Sequence, residues 1–349
     1  MGYSAALNFS DGKTFFIDVK NEEFLLDAAV RQGITLPLDC REGVCATCQG
    51  RCDSGDYEQE YVDEEALTEE DLSARKILAC QTRLKSNATF YFDHSSTFCQ
   101  TGDTKKIQAT VKNIQWVSNE TVILTLDLKD HIQPVKFLAG QYARIYIPNT
   151  QEYRAYSFAQ GITEVHELKF LIRYLADGVM GSFLKTNCHI GQCLDLELPF
   201  GSFYLRESKR DNALFFMAGG TGLSSFLAML DEMPSSNQKI YLYYGVRHEE
   251  HLCEQERIFN YKTKFPNFEY IPVISRPTEA WQGLKGYIQD HLTISQLKEN
   301  AFDMYVCGPP ALVESLKLYL NEYQIDNGNF YSEKFLHSSH TLSKESETC

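Results

Sequence analysis

Four cysteines constrain this 349-residue chain more than any other feature. Cys40, Cys45 and Cys48 stand in Asp39-Cys40-Arg41-Glu42-Gly43-Val44-Cys45-Ala46-Thr47-Cys48, and Cys80 follows after 31 intervening residues in Leu78-Ala79-Cys80-Gln81-Thr82. C-x4-C-x2-C with a distant fourth cysteine sets three thiolates on one tight loop and brings one from afar, the donor set of a [2Fe–2S] centre. Structural zinc more often takes two close pairs, and Cys80 has no near neighbour in sequence; a set of buried thiols is the plainer alternative. Cys52 falls outside the spacing and reads as a buried thiol. Gly43 lets the backbone approach the cluster, where loop N–H groups hydrogen-bond to its sulfurs.

The chain around this loop reads as a small β-grasp domain. Residues 4–10 and 13–19 are strand-like and joined by Asp11-Gly12, a pair suited to a two-residue hairpin turn. Glu23–Gln32 has a helical apolar face of Leu25, Leu26, Ala28 and Ala29, with Gly33 at its end. The domain is expected over 1–100, ending near Cys99, with Gln100–Lys106 as a polar linker.

Residues 101–206 are mostly strand by pattern: Gln108–Trp116, Thr121–Leu128, Tyr142–Ile147, Leu168–Arg173 and Cys193–Leu198, with one helix near Ser182–Thr186. A small antiparallel barrel is the expected fold. Arg154-Ala155-Tyr156-Ser157 fits the RxYS signature of the ferredoxin–NADP⁺ reductase superfamily, although four residues alone would equally suit a surface strand. Its order is continued by Ile172-Arg173-Tyr174, Gly178-Val179-Met180-Gly181-Ser182 and Pro199-Phe200-Gly201-Ser202-Phe203, which together resemble that superfamily. The resemblance implies FAD: Arg154 on its diphosphate, Tyr156 stacked on the isoalloxazine, and the Ser157 hydroxyl near N5. Small residues at a helix start also leave N–H groups free for phosphate.

Residues 207–349 alternate strands (Ala213–Ala218, Lys239–Val246, Phe268–Ser275, Asp303–Cys307) with helices (Ser224–Glu232, Glu254–Lys262, and one opened by Pro310 with Leu312, Val313, Leu316 and Leu320 on its apolar face). That predicts a doubly wound parallel sheet. Gly219-Gly220-Thr221-Gly222 lies between a strand and a helix, where a pyrophosphate loop belongs, though a tight turn would read alike. Cys307-Gly308-Pro309-Pro310 ends a later strand, and by resemblance its cysteine lies beside the nicotinamide C4; a plain buried thiol is the alternative. Phe335, in Glu333-Lys334-Phe335, is implied to cover the flavin face, and Arg247 to meet the adenosine ribose. Because Arg247 would also suit a 2′-phosphate, NADH over NADPH is a preference only. Residues from His337 onward read as a loose tail.

Charge restricts the partners. The formal net charge of −14 argues against nucleic acid. Residues 1–99 hold 18 Asp and Glu against 9 Lys and Arg, and Asp53–Asp71 holds ten acids and no base. This is a solvated face or a docking surface for a basic partner. No apolar run is long enough to span a membrane, and no signal peptide is evident. A cytoplasmic monomer is expected, and disulfides among its 11 cysteines are not, because they rarely persist there.

Across nearly its whole length the chain resembles the reductase components of two-component ring-hydroxylating dioxygenases, of the benzoate and anthranilate 1,2-dioxygenase type. That resemblance implies three domains: a plant-type ferredoxin, an FAD barrel and an NADH-binding α/β domain. It implies hydride transfer from NADH, held at residues 219–222 and 307–309, to FAD, then single electrons through Cys40, Cys45, Cys48 and Cys80 to a Rieske-type oxygenase. Two positions depart from relatives: Ser225 stands where Pro is frequent, and Leu312 where Met is. A reductase for a phenol- or methane-type diiron monooxygenase shares the same motifs. A redox-sensing iron–sulfur flavoprotein is the alternative of another class.

Overall fold

The computed structural model describes residues 2–335 except 65, 101–104, 129–134, 136, 151, 162–165, 176–177 and 207–211. The expected tail, the middle of the Gln100–Lys106 linker and the start of the third expected domain therefore lie outside the described residues. The chain divides into two compact units, Met1–Lys105 with Leu198–Ser202, and Lys106–Glu197 with Phe203–Cys349.

In the first unit a five-stranded mixed sheet runs in the order Thr14–Val19, Tyr3–Phe9, Ala88–Phe92, Gln49–Ser54, Lys76–Leu78. Its period-two alternation sends Ala5, Leu7, Phe9, Ile17, Val19, Phe90 and Phe92 into one core. Helix Leu25–Arg31 covers that face with Leu25, Leu26, Ala28 and Ala29, as the apolar stripe predicts. This is the β-grasp arrangement. The helix starts later than expected because Phe24 is held in a bridge with Arg83, and Glu23 accepts from the Lys20 N–H and the Arg31 guanidinium. The hairpin is also wider than a two-residue turn: its strands stop at Phe9 and resume at Thr14. The Asp11 carboxylate accepts from the Lys13 N–H within the turn, and also from the Ser95 hydroxyl and the Ser96 N–H and hydroxyl.

A six-stranded sheet, all but Lys105 and Leu198–Phe200 of it in the second unit, runs Tyr153–Ser157, Tyr142–Tyr146, Cys193–Phe200, Lys105–Trp116, Thr121–Asp127, Glu167–Arg173. Its two edges meet where Phe158 bridges Phe170 and the Ala159 N–H donates to the Lys169 carbonyl at 2.8 Å, so the sheet curls into a barrel. The single helix, Val179–Thr186, starts three residues earlier than expected. Gly178 is extended at its N-cap, and the Ser182 N–H already donates to the Gly178 carbonyl.

The same unit carries an all-parallel sheet in the order Leu284–Lys285, Phe268–Ile274, Ile240–Val246, Ala213–Gly219, Phe302–Gly308, Gly328–Lys334. Strand Ala213–Gly219 is buried at all seven positions, as a strand covered on both faces must be. Helices Leu223–Glu232, Gln255–Lys264 and Pro310–Glu322 lie close to their expected spans. The two edge strands had no sequence signal: Leu284–Lys285 is two residues long, and Gly328–Lys334 is largely polar and nowhere fully buried. From Ala213–Gly219 the chain winds to one side, and Phe302–Gly308 lies on the other. The carboxyl ends of these two strands therefore form the switch point, where ligands bind in such sheets. Barrel residues Ile123, Ala139, Leu171 and Phe203 share one apolar cluster with Phe216, Phe226 and Tyr305 of the parallel-sheet region. Among the described residues, no helix is long and apolar enough to cross a membrane.

Candidate functional site

The cysteine loop sits beside the β-grasp sheet with its sulfurs in two pairs. Cys40 is hydrogen-bonded to Cys45, and Cys48 to Cys80. Backbone N–H groups converge on these sulfurs: Glu42 donates to Cys40 at 3.3 Å, and Cys80 to Cys48 at 3.4 Å. The Cys45 hydrogen bond, aided by the N–H groups of Glu42, Val44 and Cys45, holds Cys40 down at about 5 against an ordinary 9.0. Cys80 is lowered in the same way, by its bond with Cys48 first. Their partners Cys45 and Cys48 are pushed up, by the same bonds first and by burial second.

Backbone conformation explains how so short a loop presents these donors. Gly43 has φ +82°, and a Cβ there would lie 2.4 Å from the Tyr61 carbonyl oxygen. Arg41 and Ala46 also adopt positive φ, of 63° and 56°, an uncommon state for residues with a side chain. Two cysteine pairs, each with an N–H donor, would hold the two irons of a [2Fe–2S] centre. Cys52 stays apart as expected: it is buried, receives the Arg75 guanidinium at 3.2 Å and lies 3.2 Å from the Ser54 carbonyl.

The barrel presents the second group. Tyr153–Ser157 pairs with Tyr142–Tyr146, and strand alternation sends Arg154 and Tyr156 to one side and Ser157 to the other. The Arg154 guanidinium donates to the Glu152 carboxylate at 2.8 Å and to the Tyr153 carbonyl at 2.7 Å. Tyr156 is half-buried, and burial pushes its phenol pKa upward. Ile172 has no exposed surface, whereas Arg173 next to it reaches Glu120 at 3.4 Å. At the helix start Val179 and Ser182 are exposed, and Met180 and Gly181 are buried. Gly181 lies so near the preceding chain that a Cβ would meet the Leu175 carbonyl oxygen at 2.6 Å.

At the switch point Gly219, Gly220, Thr221 and Gly222 turn from strand into helix against Cys307, Gly308 and Pro309. Contact is too close for side chains. A Cβ on Gly222 would lie 2.1 Å from the Cys307 carbonyl oxygen, and one on Gly219 would lie 2.8 Å from Pro309 Cδ. Arg247 is exposed at the end of the neighbouring strand, its carbonyl accepting from the Arg276 N–H at 2.8 Å. Phe335 is half-buried, and its N–H donates to the Gly308 carbonyl at 2.8 Å.

One residue unites the barrel and the sheet, and sequence reasoning gave it no role. Glu333 Oε2 accepts from the Ser157 hydroxyl at 3.4 Å and from the Cys307 thiol at 3.7 Å. Burial first, and the Glu333 charge second, push the Cys307 thiol well above its ordinary pKa, so it stays an S–H donor. The pairing of Cys307 with Glu333 follows from the register of strand Gly328–Lys334, an element without a hydrophobic pattern to announce it. The available signal was a carboxylate two residues before the expected aromatic.

Three family models match the chain. Residues 8–85 match the 2Fe-2S iron-sulfur cluster binding domain, 108–204 the oxidoreductase FAD-binding domain, and 216–317 the oxidoreductase NAD-binding domain. The chain is 56% identical over 341 residues to the anthranilate 1,2-dioxygenase electron transfer component of Acinetobacter baylyi, covering 97% of this chain and 99% of that one. It is 37% identical over 343 residues to the toluate 1,2-dioxygenase electron transfer component of Pseudomonas putida, covering 97% and 100%. Among solved structures, an Amycolatopsis cytochrome P450 reductase superposes with a TM-score of 0.69 at 25% identity, covering 95% and 98%.

Proposed function

The chain belongs to the electron transfer components of ring-hydroxylating dioxygenases, iron–sulfur flavoprotein oxidoreductases with 2Fe-2S, FAD and NAD-binding domains, and from that premise we propose that it serves an anthranilate 1,2-dioxygenase. In this reading NADH is the donor and a Rieske-type oxygenase the acceptor, and the protein works as a cytoplasmic monomer. When bound, the cofactors supply the redox chemistry: hydride passes from NADH to FAD, and electrons leave singly through the two-iron centre.

The chain's own residues bind, orient and exclude water. Arg154 holds the FAD diphosphate, aided by the helix start at Gly178, Val179, Met180, Gly181 and Ser182. Tyr156 stacks on the isoalloxazine, with Ile172 and Arg173 on the adjoining strand. Gly219, Gly220, Thr221 and Gly222 admit the NADH pyrophosphate, Arg247 meets its adenosine ribose, and Gly308 and Pro309 border the nicotinamide. Phe335 covers the flavin face that the nicotinamide must reach. Cys40, Cys45, Cys48 and Cys80 hold the irons.

The observation that supports this reading most is the convergence of Ser157 and Cys307 on the Glu333 carboxylate. It brings the flavin strand of the barrel and the switch point of the parallel sheet to the same few ångströms, where a hydride donor and acceptor must meet. Ser157 and Glu333 orient the acceptor side, and Cys307 borders the donor side.

The acidic stretch bears on the acceptor. Asp53, Glu58, Glu60 and Asp71 are paired with Arg51, Lys85, Arg83 and Lys76, so much of its charge is compensated within the chain. Asp63 and Glu64 lie next to the cluster loop, the Asp63 N–H donating to the Gly43 carbonyl at 3.0 Å. With exposed Glu42 they are the acids proposed to face a basic oxygenase surface.

An anaerobic NADH titration followed by visible absorbance and low-temperature EPR tests the relay. Flavin bleaching with a reduced-cluster signal is expected. Flavin bleaching without that signal would remove the cysteines from the path. Turnover assays with an anthranilate oxygenase and with a phenol-type diiron hydroxylase then separate the acceptors; faster reduction of the diiron enzyme would overturn the dioxygenase assignment.

A further inference from the structure

Ser225 is the third residue of helix Leu223–Glu232 and has no exposed surface. The helix start presses directly on the end of strand Phe302–Gly308, as the Gly222 contact with Cys307 shows. Neighbouring Ser224 spends its hydroxyl locally, on the Thr221 carbonyl at 2.8 Å. The Ser225 hydroxyl instead points across to strand Phe302–Gly308, 3.6 Å from Cys307 Sγ, its one hydrogen-bond partner among the described residues. Cys307 is fully buried as well.

The donor arithmetic gives this contact a direction. A thiol has one hydrogen to give and a weak acceptor site on sulfur. The Cys307 hydrogen goes to Glu333 Oε2, which also accepts from Ser157. The sulfur is then left to accept, and the Ser225 O–H is the group placed to donate. The result is a connected run in which Ser225 donates to Cys307, Cys307 donates to Glu333, and Ser157 donates to the same carboxylate.

We infer that Ser225 is a positioning residue for the hydride site: its hydroxyl fixes the rotamer of the Cys307 thiol, so that the S–H stays aimed at Glu333 and the sulfur keeps a constant distance from the nicotinamide. This rests on the placement of Cys307 at the hydride site proposed above. Ser225 itself reaches neither cofactor nor substrate. Its loss therefore lowers the rate of flavin reduction without weakening NADH binding.

The test uses the full holoprotein. The S–H stretching band of Cys307 is identified by infrared difference against Cys307→Ala, then recorded in Ser225→Ala and Ser225→Thr. Ala removes a single atom and is the best helix former, so the fold is retained. The Cys307 band is expected to move to higher frequency and broaden in Ser225→Ala, and to stay near its original place in Ser225→Thr. In stopped-flow mixing, Ser225→Ala should reduce the NADH-driven bleaching rate about fivefold, the worth of one neutral hydrogen bond, at unchanged NADH affinity. An unshifted band, or an unchanged rate, overturns the proposal. A full rate in Cys307→Ala would instead overturn the hydride-site reading, while the infrared shift would still report the Ser225 contact.

Discussion

Cys307 and Glu333 are register partners on adjacent parallel strands, and the thiol donates to the carboxylate at 3.7 Å. Because Glu333 also accepts from Ser157 at 3.4 Å, one carboxylate ties the barrel to the switch point of the sheet. Replacing Glu333 with Gln removes the charge and turns one acceptor into a donor facing two donors. The expected result is flavin reduction by NADH slowed about tenfold or more, with little change in NADH affinity. Stopped-flow traces at the wild-type rate would take Glu333 out of the site.

Arg154→Ala should weaken FAD retention while leaving the cluster intact. A charge-assisted hydrogen bond contributes about 1.5–3 kcal/mol, so FAD affinity should fall by about one to two orders of magnitude. Flavin content after gel filtration, measured beside iron content, reads both halves of the expectation. Unchanged flavin content would show that Arg154 serves only Glu152 and the Tyr153 carbonyl.

Cys80 and Cys52 are both buried, yet only Cys80 is paired with a loop cysteine. Cys80→Ser is expected to lose the cluster absorbance and most of the bound iron. Cys52→Ala should keep both and lose only the stability of its Arg75 contact. Iron retained by the first variant, or lost by the second, would require a different ligand set.

The docking acids should respond to salt. Exposed charges are screened beyond about 8–10 Å at ordinary ionic strength, so oxygenase reduction should slow as salt rises. Glu42→Gln with Glu64→Gln, both exposed, should flatten that dependence, whereas Glu58→Gln, already paired with Lys85, should not. Identical salt profiles for all three proteins would exclude this face.

Asp11 links the β-grasp fold to acid. Its carboxyl is lowered from 3.8 to about 2, chiefly by the Ser96 hydroxyl and further by Ser95 and the Lys13 and Ser96 N–H groups. A lowered folded-state pKa means that this stabilisation is fully present above pH 3.8 and is lost as pH falls through about 2. Asp11→Asn should lower the melting temperature of the protein at pH 6 more than at pH 2.5. Equal losses at both pH values would show that the carboxylate charge is not involved.

How much of this was legible in the sequence depends on whether a feature is local. The cysteine spacing, the Gly219–Gly222 turn and the strands that fill a core carry their own pattern, because ligand geometry, backbone approach and burial act over a few residues. The buried run Ala213–Gly219 is the plainest case, since a strand covered on both faces must be apolar throughout. The hairpin at Asp11 shows the complementary case: its loop closes through Phe9 and Lys13, one residue longer than the local pair suggested, and its carboxylate also accepts from Ser95 and Ser96, far along the chain.

Glu333 and Ser225 are ordinary polar residues in sequence. Glu333 lies on an edge strand with no apolar alternation, and its role exists only through its register with Cys307. Ser225 looks like any helix serine until packing brings the Cys307 sulfur to its hydroxyl. Sequence by itself determined the three-part architecture and the four thiolates, since local chemistry dictates both. Tertiary structure alone decided which carboxylate and which hydroxyl surround the thiol, because hydrogen bonds between distant segments depend on strand register and helix placement that no local pattern records.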